Sequence, residues 1–178
     1  MFETNNIKLR KVTESDAEIY NKWRNDTDVM YSTSPELDQY TLDDTIQFIS
    51  FVTSSQNSKS YMIETKDDNK TVGIVSLINI NNKDRSAECI IDIGEKDKWG
   101  QGIGKEAFNL IMEYSFKELN LHRLTLRVFS YNKRAIGLYE KLGFKPEGVM
   151  REAFYRSGEW HDIHVMGILK KEYLNMEK

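Results

Sequence analysis

A run of alternating glycines constrains the fold of this chain more than any other feature. Gly100, Gly102 and Gly104 alternate over five positions. The apolar residues 89–93 before them are typical of a strand. After them, apolar residues recur at the spacing of one helix face, namely Ile103, Ala107, Leu110, Ile111, Tyr114 and Leu119. The glycines therefore lie where a strand ends and a helix begins.

Such a position is suited to binding phosphate. The first N–H groups of a helix have no intrahelical partner, and the helix dipole adds partial positive charge there. Glycine also lets a ligand approach the main chain closely. A plain connecting turn is the simpler alternative, because short glycine motifs often occur without a ligand. The spacing fits neither a Walker loop nor the G-x-G-x-x-G dinucleotide fingerprint.

The length and charge of the chain limit the classes of protein to consider. Its 178 residues predict one domain, over positions 1–178, and 39% hydrophobic with 30% charged residues is typical of a globular protein. A net charge of −3 and a pI of about 5.7 argue against coating nucleic acid by bulk charge. The sequence has no apolar run of membrane-spanning length, and residues 1–10 lack a signal-peptide pattern. We therefore expect a cytoplasmic protein with no nucleic-acid or membrane partner.

Cysteine usage excludes two further classes. Cys89 is the single cysteine, so no intramolecular disulfide can form and metal sites built from several cysteines are excluded. We expect no metal. Cys89 lies within an apolar strand, which favours a small core residue over a reactive thiol.

The remaining pattern predicts an alternation of strands and helices. Three strands joined by short polar turns predict an antiparallel meander, and strand, glycine loop, helix and strand predict a crossover with parallel neighbours. The predicted strands cover residues 7–12, 60–65, 72–78, 86–93, 122–129, 144–155 and 160–169. The predicted helices cover residues 13–25, 41–54, 103–119 and 132–142, and residues 28–39 are predicted to be irregular.

A second motif follows the glycine loop. It begins at Asn132 and Ala135 and ends in the run Leu-Tyr-Glu-Lys-Leu-Gly-Phe, residues 138–144. The two motifs in this order resemble the GNAT superfamily of acetyl-CoA-dependent N-acetyltransferases. The resemblance implies an α/β (α+β) fold: a mixed, mostly antiparallel central sheet with a parallel crossover at the glycine loop, flanked by helices. Two branches are most similar, the ribosomal-protein N-terminal acetyltransferases and the spermidine N-acetyltransferases.

The resemblance implies acetyl-CoA as acetyl donor and gives each motif a role. Main-chain groups of Ile91, Asp92 and Ile93 would contact the pantetheine arm. The pyrophosphate would lie on the loop and helix start, formed by Trp99, Gly100, Gln101, Gly102, Ile103, Gly104 and Lys105. Asn132 and Lys141 would add side-chain contacts, although Asn132 is also a good helix N-cap. Trp99 stands where the family motif often has Arg or Gln, which removes one polar contact that Gln101 or Lys105 could replace.

Two side chains are candidates for the proton transfers. Tyr139 would protonate the departing thiolate, since a phenol with a pKa near 10 is protonated at neutral pH. Its alternative role is packing on the apolar helix face. Glu88 would take the proton of the amine, directly or through water. The alternatives for Glu88 are an outward-facing acid or an anchor for a cationic substrate.

The acceptor is harder to predict. The fold implied by the resemblance places the acceptor near five candidate contacts: Tyr31, Glu36, Asp38, Tyr155 and Trp160. Spermidine acetyltransferases tend to carry acids in the strand matching residues 75–79, where this chain has none. We therefore predict a protein or peptide N-terminus as the acceptor, with spermidine or another small amine as the alternative. A non-catalytic acetyl-CoA sensor is the alternative of another class, and Tyr139 with Glu88 argues against it.

The last strand also bears on assembly. Val165, Met166 and Ile168 give it an apolar character that would allow pairing between subunits. This pattern predicts a homodimer or a larger homo-oligomer.

Overall fold

Seven strands of the chain form one mixed sheet. In the computed structural model, which describes residues 1–176, the order across the sheet is β1-β2-β3-β4-β5-β7-β6. The strands are β1 (Ile7–Lys11), β2 (Lys59–Thr65), β3 (Thr71–Asn81), β4 (Ser86–Ile93), β5 (Arg123–Phe129), β6 (Lys145–Arg156) and β7 (Glu159–Leu169). The helices are α1 (Ala17–Arg24), α2 (Thr27–Thr33), α3 (Leu42–Ser54), α4 (Ile103–Glu113), α5 (Lys133–Lys141) and α6 (Lys170–Met176). The mixed α/β architecture that the motifs imply is confirmed.

Pairing within the sheet is antiparallel except between β4 and β5. The predicted meander corresponds to β2, β3 and β4, and the predicted crossover runs from β4 through α4 to β5. The parallel pair is short, because it joins only Ser86 with Arg123, Ala87 with Leu124 and Glu88 with Thr125. Beyond these pairs, β5 continues against β7 as far as Phe129 and Ile163. The sheet therefore opens between β4 and β5.

Each face of the sheet carries its own core. The larger cluster includes Phe108, Ile111 and Phe116, which are fully buried, and it packs α4 and α5 against one face. The smaller cluster packs α1, α2 and α3 against the other face around Trp23 and Met62. Cys89 is 3% exposed within the larger cluster, so the prediction of a core cysteine is confirmed.

Two helices differ from the prediction. Residues 28–39 were predicted to be irregular, but α2 covers the first part of them. Asp26 caps α2 by accepting from the N–H groups of Asp28 at 3.0 Å and Val29 at 3.4 Å, and Val29 and Met30 are buried. The helix α6 was not predicted, and it is held by Tyr173, which is buried against Phe116.

The helices of residues 1–176 are too short or too polar to cross a membrane.

A glycine at the end of β4 provides a test of the smaller core. A Cβ on Gly94 would overlap the indole ring of Trp23, which is 3% exposed. We expect Gly94→Ala to lower the free energy of unfolding by about 1–3 kcal/mol, as overpacking does. The measurement is urea denaturation followed by tryptophan fluorescence.

The matched control is Gly137→Ala in α5, where a Cβ would have no neighbour within 4 Å. Alanine is the better helix former, so this variant should gain about 0.5–1 kcal/mol. Equal stability of the two variants would contradict the packing described for Trp23.

Candidate functional site

The opening between β4 and β5 leaves one edge of β4 without a strand partner. The Gly94 N–H donates to the Val72 carbonyl at 2.9 Å, which fixes the alternation of hydrogen bonds along β4. Asp92 therefore exchanges main-chain hydrogen bonds with Ile74, its register partner on β3. The main-chain groups of Ile91 and Ile93 point into the opening instead. An extended, amide-containing arm could pair with them as a strand does.

The glycine loop borders this opening. Gly100 and Gly102 have φ values of +78° and +85°, in the left-handed region, and a Cβ on either would meet nothing within 4 Å. Gly102 is the residue before α4 and provides no side-chain cap. Within residues 1–176, the N–H groups of Ile103, Gly104 and Lys105 donate to no carbonyl or side chain. These N–H groups and the helix dipole form an anion-binding position.

Helix α5 closes the other side of the opening, so the opening forms a cleft. A Cβ on Gly104 would lie 3.7 Å from Leu138 and 3.9 Å from both Ile91 and Ile93, so α4 approaches α5 and β4 closely at this glycine. The Trp99 indole N–H donates to the Ile93 carbonyl at 2.7 Å, and the Arg134 guanidinium lies 4.4 Å from the Trp99 ring. Arg134 was not predicted as a site residue, although it belongs to the second motif.

The other side chains that were predicted to bind the cofactor differ in their contacts and exposure. Gln101 donates to the Asp97 carbonyl at 2.7 Å, so its amide is used within the loop. Lys105 is exposed, and Lys141 is exposed in the last turn of α5. Asn132 caps α5 by accepting from the Ala135 N–H at 3.1 Å, as its alternative role predicted, and it also donates to the Ser32 carbonyl at 3.3 Å. Contacts of these residues with a cofactor remain predictions.

Tyr139 faces the cleft from α5. Its ring packs against Phe108 and Phe144, and the residue is 7% exposed. Its hydroxyl makes no hydrogen bond within residues 1–176, and no fully buried side-chain polar atom there lacks a partner, so the hydroxyl reaches accessible space. Burial, followed by the charges of Asp92 and Cys89, raises the pKa of Tyr139 above its ordinary value. The phenol is therefore protonated and free to donate.

Glu88 lies on the opposite face of β4 from the buried Ala87 and Cys89. Its two carboxylate oxygens accept from Arg127 on β5, at 2.9 Å from Nε and 3.1 Å from Nη2. Asn79 donates a third, longer bond of 3.4 Å. Glu88 is therefore paired within the protein, and its proposed roles in proton transfer and in anchoring a cationic substrate both stay predictions.

Asp92 shares that face of β4 with Glu88 but has different surroundings. Within residues 1–176, its carboxylate accepts no hydrogen bond and joins no ion pair. Burial raises the pKa of Asp92 to about 7, because the charged form is poorly solvated. The sequence assigned only main-chain contacts to Asp92, and those groups pair with Ile74 instead. The register of β4, which sequence periodicity does not fix, determines this placement.

Three of the predicted acceptor contacts line one surface cavity of about 420 Å³. These are Glu36, Asp38 and Tyr155, at the loop after α2 and the end of the β6–β7 hairpin. Trp160 packs on Tyr155 across the hairpin, with ring centroids 5.1 Å apart. Tyr31 lies apart from the cavity lining, and its carbonyl accepts from the Tyr131 hydroxyl at 2.8 Å.

Arg156 links this loop to the hairpin and was not predicted from the sequence. The residue is 4% exposed and donates to the carbonyls of Tyr31 at 3.2 Å and Ser34 at 2.7 Å. Its guanidinium also lies 4.7 Å from the ring of Phe154. Because its partners are main-chain carbonyls, no residue pattern in the sequence signals them.

The glycine loop provides a test of cofactor binding. Gly102→Ala adds a methyl group to open space, so it conflicts with no protein atom and only with a bound phosphate. We expect the Kd for CoA to rise roughly tenfold, about 1.4 kcal/mol, by isothermal titration calorimetry. The strain of a left-handed alanine should also cost about 1 kcal/mol of stability.

Gly158→Ala is the matched control, because Gly158 has nearly the same φ of +87° and equally open surroundings at the hairpin turn. This variant should lose similar stability and keep the wild-type Kd for CoA. A similar loss of CoA affinity in both variants would refute a specific role for the glycine loop.

Comparison with known proteins gives a consistent assignment. A family model described as an acetyltransferase (GNAT) domain matches residues 6–145. A spermidine N(1)-acetyltransferase of Vibrio cholerae is 38% identical over 117 residues, and the aligned region is 66% of this chain and 66% of that relative, just under two thirds. A putative ribosomal N-acetyltransferase of Bacillus subtilis is 32% identical over 106 residues, which is 60% of this chain and 57% of that relative.

A solved structure covers the whole fold. The crystal structure of spermidine N-acetyltransferase from Vibrio cholerae in complex with CoA and spermine superposes with a TM-score of 0.89 and 30% identity, covering 97% of this chain and 100% of that one. The chain therefore belongs to the GNAT family of acetyltransferases, and it is an N-acetyltransferase that uses acetyl-CoA, as the two motifs predict.

Proposed function

We propose that this enzyme acetylates a primary amine of a polyamine such as spermidine. The observation that carries the proposal is the similarity over the full fold to a spermidine N-acetyltransferase whose structure holds CoA and spermine. The comparisons therefore favour the acceptor that the sequence ranked second over the peptide N-terminus that it ranked first.

Negatively charged side chains near the predicted acceptor contacts support a cationic amine as the acceptor. Glu36 and Asp38 are exposed at the cavity beside Tyr155, and within residues 1–176 neither is in an ion pair. Asp92 adds a carboxylate on the face of β4 that carries α1, α2 and α3. An alkyl chain between ammonium groups would also find apolar surface on the paired rings of Tyr155 and Trp160.

The chain's own residues account for binding and for the leaving group. The N–H groups at the start of α4 would hold the pyrophosphate of acetyl-CoA, and the main chain of Ile91 and Ile93 would pair with the pantetheine arm. Acetyl-CoA supplies an activated acetyl thioester. Tyr139 holds a proton that it can give to the thiolate, because its raised pKa keeps the phenol neutral at physiological pH.

A panel of acceptors tests the proposal. Release of CoA from acetyl-CoA is measured with spermidine, spermine, N-terminal peptides of ribosomal proteins, amino acids and an aminoglycoside. We expect the highest kcat/KM with spermidine or spermine. A peptide that exceeds spermidine by tenfold or more would overturn the proposal and restore the first prediction, which the similarity to a putative ribosomal enzyme keeps open.

The loop acids provide a prediction at the level of residues. We expect the double variant Glu36→Gln/Asp38→Asn to raise the KM for spermidine roughly tenfold, about 1.4 kcal/mol, with little change in kcat, since only attraction of the cation is lost. The effect should shrink at high salt, because exposed charges are screened.

The charge-matched control is Glu14→Gln/Glu18→Gln. Glu14 precedes α1 and Glu18 lies in its first turn, and both acids are exposed and outside the cavity lining. The control should leave the KM for spermidine unchanged, and an equal change in both double variants would indicate net charge rather than the cavity.

A further inference from the structure

One face of the sheet carries few charged groups between β3 and β5. We call it the acceptor face, and it consists of the side chains of β3, β4 and β5 that point toward α1, α2 and α3. On β3 they are Ile74, Ser76 and Ile78, which pair with Asp92, Ile90 and Glu88 of β4. On β5 they are Thr125, Arg127 and Phe129, which alternate with the buried Leu124, Leu126 and Val128. The carboxylates of this face are therefore Glu88 and Asp92.

The two carboxylates differ in what they can do. Glu88 is bound through both oxygens by Arg127, so its charge is paired and each oxygen already accepts a hydrogen bond. Asp92 has no such partner within residues 1–176. Ile90, which lies between them on the same face, is 39% exposed, so an acceptor has access to this part of the strand.

Asp92 lies beside the opening through which the acetyl group would be reached. The main-chain N–H and carbonyl of Asp92 pair with Ile74 of β3. The main-chain groups of its neighbours Ile91 and Ile93 point into the opening. Asp92 is close enough to Tyr139 for its charge to raise the pKa of that phenol from across the opening. Its charge has the same effect on Tyr20 of α1, on its own face of the sheet.

Among the groups around Asp92, its carboxylate is the one without an ion-pair partner in residues 1–176. Tyr20 from α1 and Tyr139 from α5 are neutral phenols with raised pKa values. The facing residues of β3 do not titrate, and Glu88 is paired on β4 itself. On α2, Asp28 is paired with Lys96 at 2.7 Å and Tyr31 is a further phenol. Arg24 of α1 stacks 3.7 Å from the ring of Tyr40.

We propose that the Asp92 carboxylate, rather than that of Glu88, binds the ammonium group of the acceptor and takes its proton, while Tyr139 protonates sulfur from the opposite side of the sheet. This assignment deepens the proposed function and rests on it for the cationic acceptor. Its basis is that the Asp92 carboxylate lies unpaired beside the opening, whereas the Glu88 carboxylate is already bound by Arg127.

The proposed acetyl transfer moves protons between the acceptor amine, Asp92, Tyr139 and solvent. The ammonium nitrogen gives one proton to the Asp92 carboxylate, and the freed electron pair forms the bond to the acetyl carbonyl carbon. The carbon–sulfur bond then breaks with its electron pair on sulfur, which receives the Tyr139 hydroxyl proton. The nitrogen loses a second proton to solvent as the amide forms, and solvent reprotonates Tyr139. Asp92 returns its proton to solvent, so one proton is released per turnover. Burial supports the role of Asp92, because its pKa of about 7 places it near the operating pH.

The test compares Asp92→Asn with Glu88→Gln on the best acceptor of the panel. We expect Asp92→Asn to lower kcat about 100-fold or more while the Kd for CoA stays within twofold. The ratio of wild-type to variant kcat/KM at each pH cancels the ionisation of the acceptor amine. For Asp92→Asn this ratio should rise with pH and level off above an apparent pKa near 7.

For Glu88→Gln the same ratio should be independent of pH between 6 and 9, whatever the size of its rate loss. A pH-dependent ratio for Glu88→Gln with a flat ratio for Asp92→Asn would overturn the assignment in favour of Glu88. A flat ratio for both variants would also overturn it. A loss of CoA affinity in Asp92→Asn would indicate a structural role.

A measurement without any acceptor separates this inference from the proposed function. Carboxyl carbon NMR of the free wild-type protein, assigned with Asp92→Asn, follows the titration of this side chain directly. We expect a midpoint near pH 7, and a midpoint below pH 5 would overturn the role of Asp92 even if polyamines prove to be the acceptors. If another amine is the best acceptor, the proposed function fails while the Asp92 test proceeds on that amine.

Discussion

Only three residue pairs join β4 to β5 in parallel before the two strands separate. Parallel strands need a crossover, and here α4 provides it, so the glycine loop must lie at the end of β4. Strand β5 stays in the sheet beyond the separation, because its other edge pairs with β7 along its whole length. The edge of β4 is left with the main-chain groups of Ile91 and the N–H of Ile93 for an extended ligand to satisfy, since the Ile93 carbonyl already accepts from Trp99. The cleft, the anion-binding position and the access to both faces all follow from this early separation.

The two proton transfers that we propose have opposite requirements, and the opening has one candidate group on each face of the sheet. Tyr139 must remain protonated, and its packing against Phe108 and Phe144 raises its pKa by excluding water. A proton acceptor must instead be ionised and unpaired near neutral pH. Asp92 meets this condition because burial raises its pKa only to about 7. The same physical effect, desolvation, therefore suits both groups, since the starting values of a phenol and a carboxyl differ by about six units.

Local signals in the sequence predicted most of the fold. The alternation in the strands and the glycine loop both act over a few residues, and both are present in the structure. The helix α2 was missed because its seven residues are too few for a periodic pattern, and Asp26 and tertiary burial stabilise it. The partner of Glu88 could not be predicted, because Arg127 is 39 residues away and meets it only through the register of β4 and β5.

Acids on a particular strand are a weak guide to the acceptor. The absence of acids at residues 75–79 favoured a peptide over a polyamine, on the assumption that the charge must come from β3. In the sheet, Asp92 of β4 is the register partner of Ile74 and lies on the same face. Attraction of an ammonium group depends on distance and local dielectric, not on which strand carries the carboxylate. Since Arg127 pairs with Glu88, Asp92 is the unpaired carboxylate of the acceptor face, and it lies beside the opening where we propose that the reacting amine is held.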